Sequence, residues 1–262
     1  MNSTQIKSRI ENANALDFGI IFNQSIELFK KVWVQGLVTL LLNMVLAIPV
    51  IMIVYIPLLF LGFANALTID NSYDSYDSTG VGVVFGFVFF IVYIFLIVAM
   101  SAIGLGLKAA FYRICKFKDL EQMGKEDYFY FFKKPYLGKT IKLGAAFTGI
   151  ALLATLLCFI PIIYAVVPLS FIVVVYAFNP DLSISEIIKL GFDLGNKKWL
   201  ISFGLMFVSG FLAMMVGFLM CGFGIYVTSS FGQLPSYFIY KDVVGFDEED
   251  DQMRRIEQLS TF

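Results

Sequence analysis

Histidine is absent from this chain of 262 residues. Its absence removes the commonest general base, the usual imidazole metal ligand and the usual partner of a nucleophilic Ser or Cys. Cysteine is scarce: Cys115, Cys158 and Cys221 stand apart with no CxxC pair, so neither a zinc site nor a disulfide framework is expected. Charge is missing from long stretches. Asp, Glu, Lys and Arg make up 15% of the chain, and none occurs in residues 32–69, 78–107, 143–180 or 199–240. No signal peptide is expected, because the first 31 residues are polar or amphipathic and the apolar run after them is too long for an h-region.

Hydrocarbon fills the place of what is missing: 59% of residues are hydrophobic and 29 are Phe. A soluble globule of this size cannot hide so much apolar surface, and each charge-free stretch is long enough to cross a bilayer core of about 30 Å. The expected class is an all-α polytopic membrane protein. Net charge is only -1, and the distribution carries more information than the sum. The nineteen Lys and Arg residues all lie in residues 1–31, 108–142, 181–198 and 241–262, while residues 247–251 form an acidic run. Nothing in this balance points to nucleic acid as a partner.

Short basic loops stay in the cytoplasm, which places all four basic stretches on one side. Residues 32–107 then form a first hairpin whose outer loop, 68–80, carries Asp70, Asp74 and Asp77 and no positive charge. Residues 143–180 form a second hairpin with its turn before Pro161, and residues 199–240 a third with its turn at Gly222 and Gly224. A single long or re-entrant element around Pro161 and Pro168 is the alternative for the second. Six transmembrane helices result, with both termini cytoplasmic and residues 1–262 forming one integral membrane domain. The acidic loop suits either a solvated turn or a calcium site, although it lacks the spacing of an EF-hand. The tail after residue 246 suits either a solubilising segment or a docking segment.

Each hairpin is preceded by a polar lead-in. In Asp17–Trp33 the residues Phe18, Ile21, Phe22, Ser25, Ile26 and Phe29 share one helical face, so an interfacial amphipathic helix is expected. The segment Asp119–Pro135 (within the interfacial stretch 108–142) and the stretch 181–198 are its counterparts, giving three parallel units of interfacial helix plus hairpin. Paired lysines beside aromatics close the lead-ins: Lys30, Lys31 and Trp33; Lys133 and Lys134; Lys197, Lys198 and Trp199. Lys snorkels to phosphate and aromatic rings favour the headgroup level, so these residues are the candidate lipid anchors. Small residues four apart, Gly82 and Gly86, Ala102 and Gly106, and Ser209, Ala213 and Gly217, are the candidate helix-packing positions. Gly82 and Gly86 also fit a homodimer contact. Asn43, Asn65, Thr228, Ser229, Ser230 and Gln233 are the polar groups that could either bond between helices or line a path, and Pro49, Pro57 and Pro235 would loosen the helices that carry them.

The lead-in Phe-Asn-Gln-Ser-Ile-Glu-Leu-Phe-Lys-Lys from Phe22, the stretch Ser-Ile-Ser-Glu-Ile-Ile-Lys-Leu-Gly-Phe-Asp-Leu from Ser183, and the closing run Cys221 to Asp242 resemble the membrane domain that accompanies some bacterial glycerophosphoryl diester phosphodiesterases, and its stand-alone relatives. The resemblance runs nearly end to end and implies a six-helix bacterial inner-membrane protein. It implies none of the phosphodiesterase chemistry, because the soluble barrel with its metal-binding carboxylates and histidines has no counterpart here. Some similar proteins carry the label carotene monooxygenase, a class that holds iron with histidines. The expectation is therefore a non-catalytic accessory protein without cofactor, acting on membrane lipids, a membrane partner or a second copy of itself. A small permease or channel for a neutral or lipid-like solute is the alternative.

Overall fold

The computed structural model describes residues 1–67, 78–157, 160–220, 222 and 224–246; at residues 54, 58, 61–67, 78–85 and 160 it describes the backbone alone. Every regular element among the described residues is helical: α1 (Ser3–Glu11), α2 (Phe18–Leu67), α3 (Ser78–Asp119), α4 (Lys134–Leu156), α5 (Ile160–Phe178), α6 (Ile184–Lys197), α7 (Trp199–Leu219), α8 (Gly224–Thr228) and α9 (Leu234–Val243), with 3-10 turns at Tyr130–Phe132 and Phe231–Gln233. Five helices are long and apolar enough to cross a membrane: Phe18–Pro57, Gly86–Asp119, Lys134–Leu156, Pro161–Phe178 and Trp199–Leu219. Residues 143–180 thus divide into two such helices. Pro161, which lacks an amide donor, sits in the first turn of α5, where that donor would have no partner anyway.

The third hairpin is built differently from the expectation of two continuous helices. After α7 the chain turns through Gly222, whose φ of 82° suits glycine, and returns as α8, a turn, a 3-10 segment and α9. The return runs antiparallel to α7 along its length. Thr228 Oγ1 donates to Ala213 O at 2.7 Å, Gly224 packs on Gly217, and Gly232 lies against Gly210.

Packing is concentrated at the basic end. On α3, Leu107, Phe111 and Ile114 are buried while Phe87 and Phe95 are exposed; on α7, Leu205 is buried and Leu219 exposed. Helices with apolar residues all round at their far ends suit a hydrocarbon solvent rather than water. α5 is the central column: among residues 167–177 only Ser170 escapes full burial. Around it stand α3, α4, α6, α7 and α9. Gly191 and Gly195 let α6 approach closely, since a Cβ at either would lie within 3.0 Å of backbone atoms of Ile172 or Pro168. Lys139 Nζ donates to the carbonyls of Pro180 and Leu182 beyond the end of α5, satisfying acceptors that α5 cannot serve.

The lead-ins depart from expectation. The first is no separate helix but the start of α2, which at 50 residues is about 75 Å long, well beyond one span. Its apolar face does not lie free for lipid: Ile21 and Ser25 are buried, and the rings of Phe22 and Phe29 meet Phe231 edge-on at 6.0 and 5.4 Å. The second is irregular, with Glu121 in the left-handed region and ion pairs Lys118–Glu126 and Lys133–Asp127 across the loop. Only the third forms the amphipathic helix, α6, whose buried face of Ile187, Leu190 and Leu194 is covered by α5 and α1. Likeness of the three lead-ins in sequence is therefore not likeness in structure.

Candidate functional site: a polar cavity at a helix break

The break in the returning segment follows from local chemistry. Pro235 cannot donate to the preceding turn, so a helix starts there rather than passing through, and Ser229 and Ser230 offer hydroxyls that compete for backbone groups. Gly36 on α2 then brings its backbone against Ser230, where a Cβ would fall 2.4 Å from that residue's Cβ. Between α2, α3 and the break lies a cavity of about 290 Å³. Its polar lining is Thr39, Asn43, Lys108, Ser229, Ser230 and Gln233, with Phe111 and Met44 as apolar walls.

Most backbone and hydroxyl groups here are satisfied. Thr39 Oγ1 donates to Gln35 O at 2.7 Å, Ser229 Oγ to Tyr226 O at 3.1 Å, and Tyr112 OH to the carbonyl of Gln233 at 3.2 Å. Two buried atoms are not: Ser230 Oγ, on a residue only 2% exposed, and Gln233 Oε1 have no partner among the described residues. Lys108 lies ten residues before Lys118 on the same helix, hence about 15 Å along its axis from the basic end. Lys108 is exposed and is the cationic side chain of the cavity lining, reaching it from α3.

Of the polar residues singled out in the sequence, the structure brings together Asn43, Ser229, Ser230 and Gln233. Thr228 instead bonds to α7, and the Asn65 side chain lies outside the described residues. Sequence reasoning missed Lys108, counted there as the edge of a basic stretch. The signal was available: seven residues, among them Ala109, Ala110, Phe111 and Ile114 and with Arg113 as the sole charge, separate it from the next lysines at 116 and 118.

A second concavity, about 280 Å³, lies at the basic end and is lined by Arg113, Lys116, Tyr130, Tyr136, Asn179 and Phe246 among others. The Arg113 guanidinium carbon stands 3.5 Å from the centre of the Tyr130 ring, and Lys116 Nζ 4.5 Å from that of Phe246. Tyr130 and Tyr136 share a hydroxyl contact of 3.2 Å. Cations held on ring faces in this way are attracted by the ring quadrupole and shed part of their hydration. Nearby, the hydrogen bond from Lys118 holds the Glu126 carboxyl below the usual carboxylate range, and burial pushes the Tyr128 hydroxyl up to about 12.

The candidate anchors occupy varied places. Lys30 pairs with Glu27 at 2.6 Å, Lys31 with Glu121 at 3.0 Å and Lys133 with Asp127, while Lys134 and Lys197 are exposed. Lys198 turns inward and donates to the carbonyls of Ala13 and Asn14, tying the N-terminal arm down; burial, then Lys197, lowers its pKa. Trp33 is exposed, and Trp199 stacks on Phe203 and donates to Tyr164 O at 3.1 Å. Among the packing positions, Ala102 lies against Gly144, Gly106 against Phe132 and Thr140, and Ser209, Ala213 and Gly217 are buried on α7. At Gly86 a Cβ would meet nothing within 4 Å among the described residues. The Gly82 side-chain position, the Asp70–Asp77 cluster, Cys158, Cys221 and the acidic tail lie outside the described residues.

Searches against protein-family models, curated proteins and solved structures give no match to this chain.

Proposed function

We propose that this is a non-catalytic multi-pass protein of the bacterial inner membrane, an accessory that binds lipid at its basic face and organises lipid or a membrane partner there. One observation carries the reading: the pocket in which Arg113 and Lys116 lie on aromatic rings at the basic end. Its size suits a headgroup, and basic residues with aromatics are what a headgroup layer attracts. Counting the broken return beside α7 as a crossing gives six, and an even number sets both termini on the basic side, which the charge rule makes cytoplasmic. In this reading the three hairpins repeat one plan whose lead-ins have diverged, and six crossings in a bacterial inner membrane are what the resemblance to the membrane domain accompanying bacterial phosphodiesterases implies. A small permease for a neutral or lipid-like solute is the second reading, favoured by the polar cavity at the break.

The test replaces Arg113, Lys133, Lys134 and Lys197 by Gln and measures which lipids accompany the protein in native nanodiscs. Unaltered insertion with loss of anionic-lipid enrichment is the expected result. Enrichment equal to that of the original protein overturns the proposal.

A further inference from the structure

The cavity at the helix break poses a chemical question that the basic face does not answer. Its contents must satisfy a buried Ser230 hydroxyl and a buried Gln233 amide oxygen that no described residue partners, beside a lysine set about 15 Å in from the basic end. Water can bond the hydroxyl, the amide and the ammonium, but it brings no countercharge. An anion brings one and accepts from both the ammonium and the hydroxyl. Lys108 provides up to three N–H donors, Ser230 a hydroxyl and Asn43 an amide; turned over, the Gln233 amide adds a further donor. Four donors from α2, α3 and the break facing one space of about 290 Å³ match the several acceptor oxygens of one compact oxyanion with a short substituent. The apolar walls, Met44 and Phe111, suit the carbon part of such a ligand. Half-helix breaks in membrane proteins are places where irregular backbone is tolerated because it lines a cavity.

We infer that this cavity is a binding site for a phosphate-bearing group, with Lys108 as its charge partner and Ser230, Gln233 and Asn43 as the hydrogen-bonding frame. The group arrives either on an anionic lipid, through the side of the bundle, or as a free phosphate compound. Recognition chemistry is the same for both sources. The site stands apart from the basic-face pocket and does not depend on lipid binding there.

The experiment uses the full chain in a neutral detergent. Native mass spectrometry follows titration with phosphatidylglycerol and with phosphatidylcholine of matched chains, and thermal unfolding follows addition of inorganic phosphate. Measured in the Arg113/Lys133/Lys134/Lys197→Gln background, which removes binding at the basic face, the expected result is one saturable phosphatidylglycerol, retained when Lys108→Arg is added and bound roughly tenfold or more weakly when Lys108→Gln is added. Ser230→Ala weakens it by a smaller factor. If the free compound is the true ligand, inorganic phosphate raises the unfolding temperature of the original protein and not of Lys108→Gln. Equal behaviour of the original protein and Lys108→Gln toward both probes overturns the inference. Should Lys108→Gln fail to fold, the original protein and Ser230→Ala decide: no saturable site for either probe, or none that Ser230→Ala weakens, overturns it equally.

Discussion

Two glycines on α7 offer a direct test of the antiparallel return. A methyl at Gly217 would lie 2.6 Å from Ile225 N and 2.7 Å from its Cα, whereas one at Gly210 would meet nothing within 4 Å. Replacing either glycine by alanine gains helix propensity of about 1 kcal/mol. At Gly217 overpacking against backbone opposes that gain by about 1–3 kcal/mol. The propensity gain cancels between the two sites, so Gly217→Ala should be less stable than Gly210→Ala by about 1–3 kcal/mol. Ile225→Ala added to Gly217→Ala should recover only part of the loss, because the clash with N and Cα remains when the side chain is trimmed. Denaturant unfolding in mixed micelles, read from Trp199 at the start of α7, measures the difference. Coincident curves for the two alanine variants would refute the placement of the return against α7.

Further outcomes follow from other contacts. Thr140 Oγ1 joins Tyr176 OH at 2.7 Å and donates to Phe131 O at 2.9 Å in a buried site, so Thr140→Val should cost about 1–3 kcal/mol in the same unfolding assay. Ser183 caps α6 through Glu186 N, and Ser183→Ala should cost about 1 kcal/mol. Hydrogen bonds from the Ser183 hydroxyl and backbone hold the Glu186 carboxyl below its ordinary 4.5, so its contribution is present above that pH and is lost as pH falls through the lower folded value; Glu186→Gln should flatten stability in that acid window. In a cysteine-free background, a cysteine at Ser75 should react with an impermeant reagent from outside and one at Lys125 should not; the reverse pattern would invert the orientation.

The long apolar helices were legible because charge is excluded from them, and the helix ends at Leu156 and Ile160 and the turn at Gly222 because proline and glycine interrupt the apolar runs there. Asn43, Ser230 and Gln233 could be named as an unusual polar set, but not placed together, since only the fold brings residue 43 beside residue 230. The lead-in faces were misread for a physical reason. A stripe such as Ile21, Phe22, Ser25 and Phe29 declares that it needs an apolar partner, and lipid and Phe231 satisfy that need equally well. Gly86 shows the converse limit: small-residue spacing permits close approach without naming the neighbour, and no described residue lies within 4 Å of a Cβ there. The break between α8 and α9 was hidden because hydropathy stays high through it. Only Pro235 and the Ser229–Ser230 pair marked the place.

The central claim is that the basic end holds lipid or a lipid-bound partner. Purification of the tagged protein in nanodiscs cut from its own membrane, with mass spectrometry of every accompanying lipid and protein, tests it most directly. A stoichiometric anionic lipid or one partner protein beyond the composition of the bulk membrane is the expected result. A protein accompanied only by bulk lipid, in bulk proportions and with no partner, would contradict it.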